Sequence, residues 1–180
     1  MYDPQRDVEG SASLVPHMSD FYNNPLQTSV LRSLALDLEL LDAHLVLLGN
    51  QGVGKNKLID RLLQLLGRPR EYIQLHRDTT VQSLVYTTVV EGGIVKYVEG
   101  PLLRGVRMGR VVVVDEADKA PEHVVGVLRS LSRGGMSLPD GRWVGKGGIE
   151  IGDGFRLVVL ANRPGYRALR IYSDFRRLTP

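Results

Sequence analysis

Apolar residues recur at helical spacing from Leu26 through Val30, Leu31, Leu34, Leu38 and Leu41, predicting one amphipathic helix that ends near Asp42. The four residues Leu45 to Leu48 then read as a buried strand. A glycine-rich turn follows, and Leu58, Ile59, Leu62, Leu63 and Leu66 make a second helical stripe closed by Gly67 and Pro69. Tyr72 to Leu75 reads as a short strand ended by His76 and Arg77, and Thr79 with Gln82 has capping-box spacing for a short helix beyond it. Val89 and Val90, the turn Glu91-Gly92-Gly93, and Ile94 to Val98 predict a β-hairpin, because glycine supplies the positive φ that a tight turn needs.

A helix from Pro101 to about Met108 leads into a strand at Val111 to Val114, and His123 to Leu131 is helical after Pro121. Ser137-Leu138 and Arg142-Trp143 flank Pro139-Asp140-Gly141, which predicts a second hairpin. Leu157 to Leu160 is the last strand. Strands alternating with helices predict an α/β fold whose parallel sheet is covered on both faces, with ligands at the carboxyl ends of its strands. Residues 1–24 are polar, carry Pro4, Gly10 and Pro16, and read as an arm.

Composition adds exclusions. The chain has 180 residues and 43% apolar content, enough to close one core without metals or disulfides. It has no cysteine, which removes a disulfide framework, a thiolate zinc site and a cysteine nucleophile. No apolar run approaches the roughly 20 residues that span a bilayer, so no membrane partner is expected. The net charge of +3 comes from scattered Lys and Arg with no basic run, which argues against nucleic acid as the main partner. Asp3, Asp7 and Glu9 do not fit an organelle presequence.

The candidate chemistry lies at the ends of three predicted strands. Gly49, Asn50, Gln51, Gly52, Val53, Gly54, Lys55 and Asn56 match a phosphate-binding loop up to its last position. Its glycines let consecutive N–H groups turn inward around a β-phosphate, Lys55 supplies positive charge, and the helix that starts there points its positive end at the same anion. The usual Ser or Thr that ligates Mg²⁺ is replaced by Asn56, whose amide oxygen is still a hard neutral donor.

The second stretch, VVVVDEAD, is a buried strand ending in Asp115 and Glu116 and reads as a Walker B element. Asp115 would hold Mg²⁺ directly or through its water, and Glu116 would orient and deprotonate an attacking water. Asp118 and Lys119 read as exposed charges of a helix-entry turn without catalysis. The third stretch, LVVLAN, delivers Asn162 beside them. Taken alone Asn162 would be a turn residue, but after two Walker elements in order it reads as a contact to the γ-phosphate or the water.

Other features carry less. His76-Arg77-Asp78 imitates a kinase catalytic loop, yet Ser83 stands where that loop needs Asn, so the kinase reading fails. His76 and Arg77 could also face a substrate pore or a neighbour, the lesser alternative. Trp143 is equally compatible with a partner contact and with core packing. Arg176 and Arg177 could supply an arginine finger, although terminal basic residues are more often simply solvated.

The strings GNQGVGKNKLIDRLLQLLGRPREYIQLHRDTTVQSL, GPLLRGVRMGRVVVVDEADKAP and LVVLANRPGY closely resemble an internal AAA+ module of a family that also carries a terminal von Willebrand A domain. That family sits in the dynein-related and MoxR-like branch. The resemblance runs from about Val15 to Tyr166 and covers long stretches outside the generic motifs. It implies a P-loop NTPase three-layer α/β/α sandwich of AAA+ type with two hairpin insertions, and divides the chain into an arm (1–24), an AAA+ core (25–166) and a divergent tail (167–180).

It also implies that Asn56 is a family trait, that Asn162 is sensor 1, that ATP and Mg²⁺ are the ligands, and that the module works as a homo-oligomer or beside neighbouring AAA+ modules on an unknown protein client. A mitochondrial matrix address comes by resemblance alone. After Tyr166 the likeness stops, without a helical lid or sensor 2 arginine, so the chain reads as a fragment or a truncated gene model. Two functions therefore compete: an ATPase that remodels a client, and an ATP-binding scaffold module that does not hydrolyse. A nucleic-acid-stimulated ATPase is a third class that rests only on the basic charge.

Overall fold

A computed structural model describes residues 12–22, 24–41 and 44–162. After a single 3₁₀ turn, Ala12–Leu14, helix α1 spans Pro25–Glu39. It starts where it does because the Asn24 side chain accepts a hydrogen bond from the Gln27 amide at 2.8 Å, and Pro25 occupies the first turn, where its missing N–H costs nothing. The helix ends three residues before the predicted Asp42, which lies outside the described residues.

Strand β1, Leu45–Leu48, leads through the glycine-rich loop into α2, Lys55–Leu66, which Gly67 ends in the left-handed conformation at φ 62°. Strand β2, Arg70–Gln74, begins and ends slightly earlier than predicted, so His76 and Arg77 lie in the turn beyond it and are exposed. The short helix α3, Val81–Val85, is capped one residue later than the spacing suggested: Thr80 and Ser83 form the reciprocal box. Thr79 is buried instead, its hydroxyl accepting from the His76 amide at 2.9 Å. Sequence spacing alone does not distinguish two adjacent threonines; burial does.

The first hairpin pairs β3, Tyr86–Glu91, with β4, Ile94–Glu99. Helix α4, Pro101–Arg107, precedes β5, Val111–Asp115. A 3₁₀ turn, Ala117–Lys119, and α5, Glu122–Ser132, follow. The second hairpin pairs β6, Gly135–Ser137, with β7, Trp143–Gly145, and β8, Arg156–Ala161, completes the order. Trp143 is 44% exposed and outside the core, its indole lying across Gly135 and Gly148 of its own hairpin region.

The main sheet is fully parallel with strand order β1-β8-β5-β2. Because side chains alternate across a strand, Val111 and Val113 of β5 join Leu31, Leu38, Ile59, Leu62 and Leu63 of α1 and α2 on one face. Val112 and Val114 join Leu102, Leu103 and Val106 of α4, Leu128 and Leu131 of α5, and Met136 on the other. The run of four valines is thus the residue pattern of a strand buried on both faces, and the fold is the expected three-layer α/β sandwich. Among the described residues no helix is long and apolar enough to cross a membrane.

Candidate functional site

Parallel strands bring their carboxyl ends to one edge of the sheet. There β1 delivers the loop of residues 49–56, β5 delivers Asp115 and Glu116, and β8 delivers Asn162. Gln51, Gly52, Gly54, Lys55, Asn56, Asp115, Glu116 and Asn162, together with Lys57, line one cavity of about 420 Å³. Residues from three separate strand ends therefore share a single concave space. Gly49, Asn50 and Val53 belong to the loop without lining that space, and Val53 is exposed.

The loop folds around glycines at two points where side chains would be strained: Gly52 and Gly54 have φ of 83° and 84°. Gly54 also stands at the N-terminus of α2, so the unpaired N–H groups of its first turn face the cavity end of the helix. Lys55 Nζ donates to Gly49 O at 2.7 Å, to Asn50 O at 3.0 Å and to Asn162 Oδ1 at 3.1 Å, tying the loop to β8 across 107 residues.

Asp115 is held from three sides. The Asn56 amide donates Nδ2–H to its Oδ2 at 2.7 Å, the Tyr72 hydroxyl donates to the same Oδ2 at 2.7 Å, and the Glu116 backbone N–H donates to Oδ1 at 2.8 Å. Burial, together with the hydrogen bond to Asp115 and its charge, pushes the Tyr72 phenol up to about 12, so it remains a donor across the neutral range.

Glu116 has φ 55°, the one left-handed non-glycine among the described residues, at the corner where β5 turns into the 3₁₀ helix. Such a conformation costs on the order of 1–3 kcal/mol and is retained where surrounding contacts fix it. Here the Lys119 ammonium donates to Oε1 at 2.5 Å and the Gln74 amide donates to Oε2 at 3.0 Å. Lys119 first, then Gln74, holds the carboxyl below the usual glutamate range, against burial and the charge of Asp115.

The reading of Asp118 and Lys119 as a helix-entry turn is right about the turn, but the charges are engaged. Asp118 Oδ1 accepts from the Asn162 backbone N–H at 2.9 Å, which fixes the end of β8, and Lys119 pairs with Glu116. Tyr72, Gln74 and Lys57 are the other site residues that sequence reasoning missed. Gln74 had a signal, as a polar residue near the carboxyl end of a predicted sheet strand. Tyr72 had none, since its contact with Asp115 spans 43 residues. Arg176 and Arg177 lie outside the described residues.

As a metal site the arrangement offers one carboxylate and one amide oxygen, both hard donors. Among the described residues no group of three or more His, Asp or Glu could form a cage. That set fits Mg²⁺ held mainly by substrate phosphates and water, with one or two protein oxygens, and does not fit a dedicated protein-only metal site.

The chain is 49% identical over 157 residues to von Willebrand factor A domain-containing protein 8 of Mus musculus, covering 81% of this chain and 8% of that protein. It is 34% identical over 126 residues to Protein NorQ of Paracoccus denitrificans, covering 70% of this chain and 46% of that one. The chain thus spans less than half the length of either relative. Its fold is similar to that of the crystal structure of NtrX from Brucella abortus in complex with ADP, with a TM-score of 0.55 and 15% identity over 89% of this chain and 35% of that chain. Residues 44–178 match the family described as the AAA domain of the dynein-related subfamily. With that match over most of its length and the P-loop sandwich around it, the chain belongs to the dynein-related subfamily of AAA domains.

Proposed function

We propose that this module binds ATP with Mg²⁺ and hydrolyses it, and that hydrolysis is coupled to remodelling of a protein client within an assembly of like or neighbouring modules. The observation that carries the reading is the convergence of Lys55, Asn56, Asp115, Glu116 and Asn162 on one cavity at the N-terminus of α2. Lys55 and the N–H groups of residues 52–56 would bind the β- and γ-phosphates, exchanging the carbonyl partners of Lys55 for phosphate oxygens. Asn56 and Asp115 would hold Mg²⁺, which when bound neutralises phosphate charge. Asn162, anchored by Asp118 and linked to Lys55, would orient the γ-phosphate or the attacking water, and Glu116 would accept the proton of that water.

A specific observation favours a second reading, a scaffold that binds ATP without turnover. Each carboxylate oxygen of Glu116 already accepts a hydrogen bond, from Lys119 and from Gln74, and these donors favour the charged form and weaken it as a base. The mitochondrial matrix is proposed as the location from the resemblance alone.

The deciding experiment is phosphate release from the purified chain with Mg-ATP at increasing protein concentration, beside Lys55→Ala and Glu116→Gln. Turnover that vanishes in both variants, with ATP binding lost in the first and kept in the second, supports the enzyme. ATP-dependent stabilisation without phosphate release supports the scaffold. If Lys55→Ala binds ATP as the wild type does, the site itself is wrong.

A further inference from the structure

Asp115 is governed not only from the loop but from the neighbouring strand. Its Oδ2 takes two donors, Asn56 Nδ2 and Tyr72 OH, each at 2.7 Å, while its Oδ1 takes the backbone N–H of Glu116. A carboxylate has about four lone-pair sites, so Oδ2 is filled and Oδ1 keeps one free.

The Asn56 amide is oriented by the same contact. Only the NH₂ end can donate to a carboxylate, so Nδ2 is committed to Asp115 and Oδ1, the other arm of the planar amide, is left for a different partner. Among the described residues no donor engages that oxygen. A serine or threonine hydroxyl at this position has one oxygen with which to donate to the carboxylate and ligate a metal. An asparagine divides the two tasks between two atoms. The longer side chain must then be held in place, and so must the carboxylate it leans on.

Tyr72 supplies that support. It lies on edge strand β2, two residues before Gln74, whose Cα partner is Asp115, and the Arg70 guanidinium sits 5.2 Å from the centre of its ring. Resting on the proposed Mg-ATP reading, we infer that Tyr72 is a positioning residue of the metal site. Its phenol locks the Asp115 carboxylate so that Oδ1 is presented to the metal or its water, and Asn56 Oδ1 is presented as a ligand. Partners of this kind behind a ligand change metal affinity by roughly 10- to 100-fold when removed, with little effect on contacts that do not involve the metal.

The test is ATP binding by calorimetry to the full chain, in excess Mg²⁺ and in EDTA, for the wild type, Tyr72→Phe and a Lys55→Ala control. The readout is the gain in affinity that Mg²⁺ confers. Tyr72→Phe is expected to reduce that gain about 10-fold or more while leaving the affinity in EDTA within about twofold. An unchanged gain, or an equal loss with and without Mg²⁺, would overturn the role, since a merely structural tyrosine gives one of those results. Tyr72→Val, which also lacks the hydroxyl and suits a strand, gives the same readout should the Phe variant not fold. Absence of any Mg²⁺ gain in the wild type, or wild-type affinity in Lys55→Ala, would instead overturn the nucleotide-site reading beneath it.

Discussion

His44 stands just before β1, outside the cavity lined by Lys55 and Asp115, and its folded environment disfavours protonation. Its Nδ1 accepts from the Leu157 backbone N–H at 3.0 Å, and its ring lies 5.7 Å from that of Phe155. Burial lowers its pKa from 6.5, only partly offset by a hydrogen bond to the Ser132 backbone. The folded state therefore prefers the neutral imidazole, whereas the unfolded chain takes up a proton near its ordinary value. The sign follows: stability is full above about pH 6.5 and falls as pH drops below it, until the lower folded-state value is reached, by at most about 1.4 kcal/mol per pH unit. Urea unfolding at pH 7.5, 6.5 and 5.5 should show this slope in the wild type and a flatter one in His44→Gln. Parallel slopes in the two proteins would remove His44 from the account.

At the scale of elements, α4 owes its position to the absence of a side chain. Gly105 lies in the middle of this helix, where glycine is unfavourable by up to about 1 kcal/mol relative to alanine. It is tolerated because α4 packs closely on β2 and β5: a Cβ at Gly105 would collide with Val112 Cγ2 and stand 3.3 Å from Glu71 Cγ. Glu71 is itself buried beneath the helix. It accepts two hydrogen bonds from Arg104 at 2.7 Å and one from Arg110 at 2.8 Å, which leaves little room to retreat. Overpacking costs typically 1–3 kcal/mol, more than helix propensity returns. Gly105→Ala should therefore lower the midpoint of thermal unfolding by several degrees. An alanine variant at least as stable as the wild type would show that α4 can shift away from the sheet.

At the scale of the molecule, the two hairpins differ in how they are attached. The β6–β7 hairpin is part of the core through Met136 and Val144. The β3–β4 hairpin projects: Val89, Val90, Ile94, Val95, Tyr97 and Val98 are all exposed. Its base is anchored at Tyr86, whose hydroxyl donates to Asp140 and accepts from Arg142 at 2.6 Å, and at Glu99, which accepts from Arg107. A two-stranded ribbon alone is marginal in water, so it adds little to the stability of the core. Tyr86 and Glu99 are direct partners across the ladder, so residues 87–98 can be replaced by a two-residue Asn-Gly turn. The shortened chain should unfold within about 1 kcal/mol of the wild type and keep its ATP-dependent stabilisation. A larger loss would show that the hairpin supports the core directly.

The local and periodic features of this protein are legible in its residues alone. Four valines bounded by an acid pair specify a doubly buried strand and its charged end, Gly52 and Gly54 specify the loop that only glycine can follow, and the stripe of α2 specifies its inward face, whereas in α1 Leu31, Leu34 and Leu38 turn inward and Leu26, Val30 and Leu41 of the predicted stripe are exposed. The order of these elements specifies the sandwich and the edge where Lys55, Asn56, Asp115, Glu116 and Asn162 meet. Tertiary structure decided what those residues touch. Tyr72 and Gln74 reach Asp115 and Glu116 only because β2 pairs with β5, and Asp118 reaches the Asn162 amide only because β8 inserts beside β5. Burial decided that Thr80, rather than Thr79, caps α3. Periodicity encodes which side of an element is apolar, whereas a hydrogen bond between strands depends on register and neighbour order, which become fixed only when the whole sheet assembles.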